Sequence, residues 1–377
     1  MPAPAVRIMR VLLQHPHAPG EISGVLTYVE NLRAALAPLG VEARVFSTHG
    51  ARWRDLWPAV RAADLVHLNS NHLRLALIAW LRGKPVLIKY HFPFWGQTVE
   101  GQHEPRPLWR RLLEDARFRW RQGRGGGVTL KRVRFVGESV ARSLLRVAVA
   151  LLVRERTACS RFVAETTDLP VRVELDYNPF EFPPLAAPPE GWPGQRPCFL
   201  FAGRLHTTKG ADLLLRAAAR MAACGRVFRV ELIGDGEELA ALRALASELG
   251  LDSIVTFAGR QPREAVLASM ARSLLVVVPS RWNDPAPYVV VEAAAMGRAC
   301  VGSRMGGIPE LVRADELLFE NEDVPALAAR LERLLDNPNE ARRRGTAAYE
   351  ALSRECAAPV AGARVKSVYA RMLRQRG

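Results

Sequence analysis

Short apolar runs alternate along the chain with stretches whose apolar residues recur at helical spacing. That alternation predicts an α/β architecture with parallel sheets. In the first half, strands are expected at 6–13, 43–46, 65–68, 86–90, 157–160 and 172–175. Between the first two, Val25, Tyr28, Val29, Leu32 and Leu36 share one face of a helix. The second half repeats the pattern, with strands expected at 198–202, 229–233, 254–258, 274–279 and 299–302. Its helices carry Leu213, Leu214, Ala217 and Met221, then Leu239, Leu242, Leu245 and Leu249. Gly234, Gly259 and Gly302 follow strands, where the backbone must turn sharply.

Two segments break the rhythm. From Glu181 the chain reads EFPPLAAPPEGWPGQRP, whose prolines forbid a regular helix or a central strand. A linker is therefore expected at 183–197, between a domain at 1–182 and another at 198–357. Two open parallel sheets joined this way face a central cleft with the C-terminal ends of their strands. The second break, 102–134, holds Arg106, Arg110, Arg111, Arg117, Arg119, Arg121 and Arg124, then Gly125-Gly126-Gly127. It predicts a basic insertion in the first domain, an amphipathic helix followed by a turn. The pattern Val140, Leu144, Leu145, Val147, Ala148, Leu151 and Leu152 then predicts a packed helix.

Composition narrows the classes. A chain of 377 residues suits two domains, and 49% hydrophobic with 24% charged residues excludes a disordered protein. The formal net charge of +15 favours anionic partners without choosing among phosphates, nucleic acid or an acidic membrane face. The cysteines Cys159, Cys198, Cys224, Cys300 and Cys356 are scattered, and none pair as C-x-x-C. They support neither a disulfide framework nor a zinc site, and a reducing cytosol is the natural compartment. The N-terminal run is short and interrupted by Arg7 and Arg10, so it reads as a buried strand and not a signal peptide. No apolar stretch reaches the ~20 residues that span a bilayer, so any membrane contact is expected to be peripheral.

Candidate chemistry gathers after strands of the second half. FAGRLHTTKG places Gly203, Arg204, Lys209 and Gly210 between a strand and a helix. A helix start offers unpaired N–H groups, and two cations beside it suit a pyrophosphate; a solvated basic loop is the competing reading. In PSRWNDPAPYVVVEAAAMG, Asp284 and Glu292 stand on either side of Pro287, Tyr288 and Val289. Glu292 is flanked by valines and alanines, where an unpaired carboxylate is costly to bury and a ribose diol would supply two donors. A surface Glu and a capping Asp would explain the pair equally. In GSRMGGIPELV, Gly306 and Gly307 either turn N–H groups towards a ligand or merely make a tight connection.

In order and spacing, residues 199–312 resemble the second domain of retaining nucleotide-sugar glycosyltransferases of the GT-B fold, glycosyltransferase family 4. The resemblance is carried by GRL-x-x-x-KG, GDG at 234–236, FAG at 257–259, Pro279-Ser280, D-P-x-P-x-x-x-x-E and GG-x-x-E-L-V. It implies a fold of two Rossmann-like domains with parallel sheets. It implies that Arg204 and Lys209 bind the donor diphosphate, with Gly203 and Gly234 in the same donor site. Glu292 would bind the ribose, with Pro287, Tyr288 and Val289 beside it. Asp284, where the family usually has Glu, would face the donor sugar. In the first domain it matches Ser23 and Gly24 of the loop Glu21-Ile22-Ser23-Gly24 to a donor-phosphate helix start; a simple αL turn competes. His91 matches a sugar-facing histidine. Phe92, Phe94 and Trp95 either offer acceptor surface or pack, and His67 and Asn69 are weaker acceptor-side features.

The catalytic set so implied is Arg204, Lys209, His91 and Asp284. The reaction implied moves a sugar, with retention and without a metal or other cofactor, to a hydroxyl of a glycan or lipid-linked acceptor. Cell-envelope or exopolysaccharide biosynthesis in the cytoplasm is the expected setting, peripheral on the inner face of the plasma membrane. Binding of a specific nucleic acid is not expected, because no recognition motif accompanies the basic stretch. The rival classes are a basic nucleic-acid-binding protein, a catalytically silent GT-B scaffold, and a GT-B epimerase or phosphorylase. The C-terminal helix, 358–377, is expected to pack back on the N-terminal domain.

Overall fold

The computed structural model describes residues 8–21, 23–95, 107–122, 130–185 and 196–375. Val6, Ile22, Arg106, Arg124, the glycine run 125–127 and positions 186–195 of the expected linker lie outside the described residues. The chain divides into two compact units, Met1–Pro179 with Ala358–Gly377, and Phe180–Ala357.

In the first unit, β1 (Met9–His15) leads to α1 (Gly24–Leu36), β2 (Val41–Ser47), α2 (Trp53–Ala62) and β3 (Leu65–Leu68). Then come α3 (Leu73–Leu81), β4 (Val86–Tyr90), α4 (Leu108–Gln122), α5 (Leu130–Leu152), β5 (Glu155–Ala158), α6 (Arg161–Thr166) and β6 (Glu174–Leu175). The strands form a six-stranded sheet in the order β2-β1-β3-β4-β5-β6. Every pairing is parallel. β3 and β4 are buried throughout, as parallel strands covered on both faces must be.

The second unit runs β7 (Cys198–Ala202), α7 (Ala211–Ala223), β8 (Arg229–Ile233), α8 (Leu239–Glu248), β9 (Val255–Gly259), α9 (Arg263–Arg272) and β10 (Leu275–Val278). It continues with α10 (Tyr288–Ala295), β11 (Ala299–Ser303), α11 (Ile308–Val312), β12 (Leu318–Phe319), α12 (Val324–Asp336) and α13 (Pro338–Cys356). Its sheet is also parallel and six-stranded, in the order β12-β11-β10-β7-β8-β9. Read from β9, that is the Rossmann order, which reverses between β7 and β10. Together the units establish the two Rossmann-like halves of a GT-B fold.

The last helix, α14 (Ala358–Arg374), belongs to the first unit. Its Val365, Tyr369 and Met372 enter one core cluster with Val11, Leu13, Tyr28 and Leu32. α1 and α14 approach closely because Gly362 has no side chain: a Cβ there would stand 2.7 Å from the Ala35 carbonyl oxygen. Gly362→Val is therefore expected to force the helices apart and cost about 1–3 kcal/mol, read as a lower unfolding midpoint in urea.

The packed helix expected over 140–152 forms as part of α5, but only part of it packs. Val147, Val149 and Ala150 are buried, whereas Leu144, Leu145, Leu151 and Leu152 are exposed. Helical periodicity identifies an apolar stripe without saying what covers it. Among the described residues, no helix is long and apolar enough to cross a membrane.

Candidate functional site

At a reversal of strand order, the loops leaving the two central strands turn to opposite faces and open a crevice. In the second unit those strands are β7 and β10. The loop after β7 carries Gly203 and Arg204, passes through a short 3-10 turn at Thr207–Lys209, and enters α7 through Gly210. Gly210 is left-handed, at φ 67°, and a Cβ on it would meet the Pro279 carbonyl oxygen at 2.0 Å. Only glycine lets this loop lie against the end of β10.

Side chains then tie the two loops together. Ser280 Oγ donates to the Thr208 carbonyl at 3.1 Å, and the Arg281 amide donates to the same oxygen at 2.8 Å. The Arg281 guanidinium forks onto Asp212, in the first turn of α7, at 2.6 and 2.8 Å. Burial is the largest single influence on Asp212 and opposes its ionisation, but the hydrogen bonds and charge of Arg281, with a backbone hydrogen bond and Arg216, together hold the carboxyl below its ordinary range. Arg281 thus neutralises the acidic residue at this helix start.

On this frame two of the expected donor-site residues meet. Lys209 Nζ forms an ion pair with Asp284 Oδ2, from the loop after β10, although the two stand 75 positions apart in the chain. Arg204 is exposed on the same loop as Lys209, and among the described residues its guanidinium has no hydrogen-bond or ion-pair partner. Pro287 caps α10, whose first turn carries Tyr288 and Val289 and whose second carries Glu292. Glu292 is 17% exposed and 3.6 Å from Arg263 Nε. Burial raises its carboxyl above the ordinary glutamate range, and Arg263 offsets part of that rise. The carboxylate is therefore paired within the protein before any ribose arrives. Arg263 also lies over the Phe180 ring, 4.9 Å from its centroid. Sequence reading missed Arg263, Arg281 and Phe180. Pro279-Ser280 was noticed, but nothing local marked the three others.

The glycines here act mainly as packing elements. The Gly203 amide donates to Ile233 O at 2.9 Å and the Gly234 amide to Gly259 O at 2.9 Å, so both extend the sheet ladder. The ligand-facing alternative for Gly306 and Gly307 is corrected. The Gly306 amide donates to Asn283 Oδ1 at 3.1 Å and the Gly307 amide to Asp284 O at 2.7 Å. Gly306 is left-handed, at φ 56°, and a Cβ there would come within 2.5 Å of the Asn283 carbonyl carbon. The pair is the close connection that seats the backbone of Asp284.

In the first unit, the reversal lies between β1 and β3. Ser23 caps α1, its Oγ accepting from the Leu26 amide at 3.2 Å, and Gly24 is the first helical residue. Gly24 is absent from the left-handed residues, which removes the αL turn as the account of this loop. His91 follows β4 and is buried, with Nε2 2.9 Å from Asn69 Oδ1. Asn69 Nδ2 donates to the Gln14 carbonyl, so its Oδ1 faces His91 as acceptor and His91 Nε2 carries the proton. Burial, with Lys89 and His67 nearby, lowers His91 well below the usual histidine range, so it is neutral at pH 7. His67 is fully buried and meets the Tyr369 hydroxyl at 2.6 Å. His67 and Asn69 therefore serve the interior, correcting their reading as acceptor-side features. Phe94 and Trp95 pack on each other edge-to-face, while Phe92 is exposed.

The chain is similar to known proteins in sequence and in fold. Residues 186–351 match the family model described as Glycosyl transferases group 1. The chain is 30% identical over 145 residues, 38% of its length, to an alpha-D-kanosaminyltransferase of Streptomyces kanamyceticus. It is 27% identical over 362 residues to a D-inositol 3-phosphate glycosyltransferase of Thermobispora bispora, covering 85% of this chain and 83% of that one. The first match spans only 37% of the relative's length. A second, to the D-inositol 3-phosphate glycosyltransferase of Acidothermus cellulolyticus, spans 33%. HepE of Anabaena, solved in complex with UDP, superposes with a TM-score of 0.69 at 16% identity, covering 96% of this chain and 100% of that one. The second unit thus carries the sequence pattern of the glycosyl transferases group 1, and the chain is similar in fold, over nearly its whole length, to GT-B glycosyltransferases.

Proposed function

We propose that this protein is a retaining, metal-independent glycosyltransferase of family 4. It would move a sugar from a nucleotide-sugar to a hydroxyl of a glycan or lipid-linked acceptor. The observation that carries the reading is the meeting of Lys209 and Asp284 from the two loops at the strand-order reversal of the second unit, with Glu292 in the helix that follows the second loop. The Anabaena neighbour has also been solved with UDP-glucose, which favours a nucleotide-sugar as donor. Cell-envelope or exopolysaccharide synthesis is the setting, in the cytoplasm and peripheral on the inner face of the plasma membrane.

The bond from the sugar anomeric carbon to the diphosphate oxygen breaks, and that carbon bonds to the acceptor oxygen on the same face. The acceptor proton passes to a phosphate oxygen. Arg204 and Lys209 take the negative charge that develops on the leaving diphosphate, more in the transition state than before it. Two cations so placed supply the charge that a divalent metal would otherwise bring. Asp284 faces the donor sugar and Glu292 accepts the ribose hydroxyls.

A thermal-shift panel of UDP-, GDP- and ADP-sugars tests this reading, because a true donor stabilises the folded state by mass action. At least one is expected to raise the midpoint; silence from all three would overturn the proposal.

Glu292 adds a pH signature. Its folded carboxyl titrates above the ordinary glutamate range. Ribose hydroxyls donate to the ionised form. Nucleoside diphosphate affinity is therefore expected to rise as pH increases through that elevated value, and to be lost as pH falls through it. Calorimetric titration should show the rise in wild type and a weaker, flatter profile in Glu292→Gln, the difference between the two isolating this carboxyl. Parallel profiles would remove Glu292 from ribose binding.

A further inference from the structure

Among the described residues, most exposed large apolar side chains lie on adjoining helices of the first unit. α2 packs on α3, α3 on α5, and α5 on α4. α3 turns Leu77, Trp80 and Leu81 outward, with Trp80 61% exposed. α5 does the same with Leu144, Leu145, Leu151 and Leu152, the last 64% exposed. α4 adds Trp109, 62% exposed, and Leu113 one turn on. Among the described residues of the second unit, the exposed large apolar side chains are the scattered Leu185 and Val227. An apolar surface this concentrated marks an interaction site, and its outward tryptophans suit a boundary with one wet and one apolar side.

Charge selects the partner. Positions 106–134 hold ten basic residues and two acidic ones. Arg110 and Arg117 are exposed on α4, whereas Arg111 is turned inward onto Asp168, at 2.5 Å, and Arg134 on α5 pairs with Glu138 at 2.9 Å. Two copies of so basic a segment would repel one another, while a negatively charged bilayer supplies both phosphates for arginine and an acyl boundary for Trp and Leu.

We propose that α3, α4 and α5 form a docking face for an anionic lipid bilayer, with Trp80, Trp109 and Leu152 in the headgroup–acyl boundary and Arg110 and Arg117 on lipid phosphates. The proposal rests on the glycosyltransferase reading only for its purpose, bringing the acceptor site to a lipid-linked substrate. Its test reads no transfer.

The full chain is floated with vesicles of phosphatidylcholine alone or mixed with phosphatidylglycerol. Binding to the anionic vesicles is expected to be about tenfold higher, and to weaken as salt is raised. Trp80→Ser with Leu152→Ser, and separately Arg110→Glu with Arg117→Glu, are expected to abolish most of it while unfolding midpoints and nucleotide-induced shifts stay at wild-type values. Equal recovery with both vesicles overturns the proposal, whether or not the variants fold. So does wild-type recovery of either folded variant, or a concentration-dependent dimer on gel filtration that the variants dissolve without any vesicle binding. A wild-type chain that binds neither vesicle yet is stabilised by nucleotide sinks only the docking face. Vesicle binding without nucleotide stabilisation sinks only the enzymatic reading.

Discussion

Asp176→Ala is expected to destabilise the first unit by about 3–5 kcal/mol, because it strands a buried ammonium without its counter-ion. Lys89 is 1% exposed on β4. Its Nζ donates to Asp176 Oδ2 at 2.8 Å and to the Asp176 carbonyl at 2.5 Å, and it lies 4.2 Å from the centroid of the Tyr28 ring. The other carboxylate oxygen of Asp176 accepts from Arg364 Nε, on α14, at 2.9 Å. One side chain thus satisfies a strand lysine and anchors the C-terminal helix. Burial lowers Lys89 below the usual lysine range and Asp176 opposes that shift. Without Asp176, folding increasingly requires the neutral amine. The loss should accordingly be largest below the depressed value and shrink as pH rises towards the range of free lysine. Lys89→Met with Asp176→Leu removes both charges together and is expected to cost much less. Urea unfolding followed by circular dichroism measures all three proteins. A double variant as unstable as Asp176→Ala would show that packing, not the stranded charge, sets the loss.

Lys209→Ala is expected to lower kcat/KM with the true donor by roughly 10²–10³, the scale for removing one preplaced charge from a developing anion. The ion pair with Asp284 sharpens the expectation. A diphosphate must share or displace that carboxylate to engage Lys209. Asp284→Asn frees the ammonium, so nucleoside diphosphate should bind more tightly to Asp284→Asn and more weakly to Lys209→Ala. Turnover should fall in both, since Asp284 faces the sugar in the proposed reaction. Lys209 is 29% exposed and Asp284 16%, so neither change should unfold the protein. Calorimetry with the nucleoside diphosphate and steady-state rates with the donor give the two readings. Affinities that move in the same direction would mean that the pair does not compete with phosphate.

Much of the fold was legible along the chain. The strands expected at 198–202 and 229–233 form with those limits, because a buried parallel strand announces itself by a local apolar run ending at a turn. β12 went unseen, since two residues carry no period. The loops bearing Arg204, Lys209 and Asp284 were legible as well, each by its place between a strand and a helix, and Glu292 by its apolar flanks in the helix that follows.

What each of those side chains meets was decided only by the tertiary structure. Lys209 finds Asp284 because β7 and β10 are neighbours in the sheet, and Glu292 finds Arg263 through the packing of α10 on α9. Lys89 finds Asp176 because β4, β5 and β6 are neighbours in the first sheet, and Asp176 finds Arg364 only once α14 returns to it. The outward leucines of α5 read the same in sequence as inward ones. Hydrophobic period is a property of neighbours along the chain, and it selects helix, strand and turn. Charge pairing and burial depend on which strands lie side by side, and strand order is settled by contacts between residues far apart.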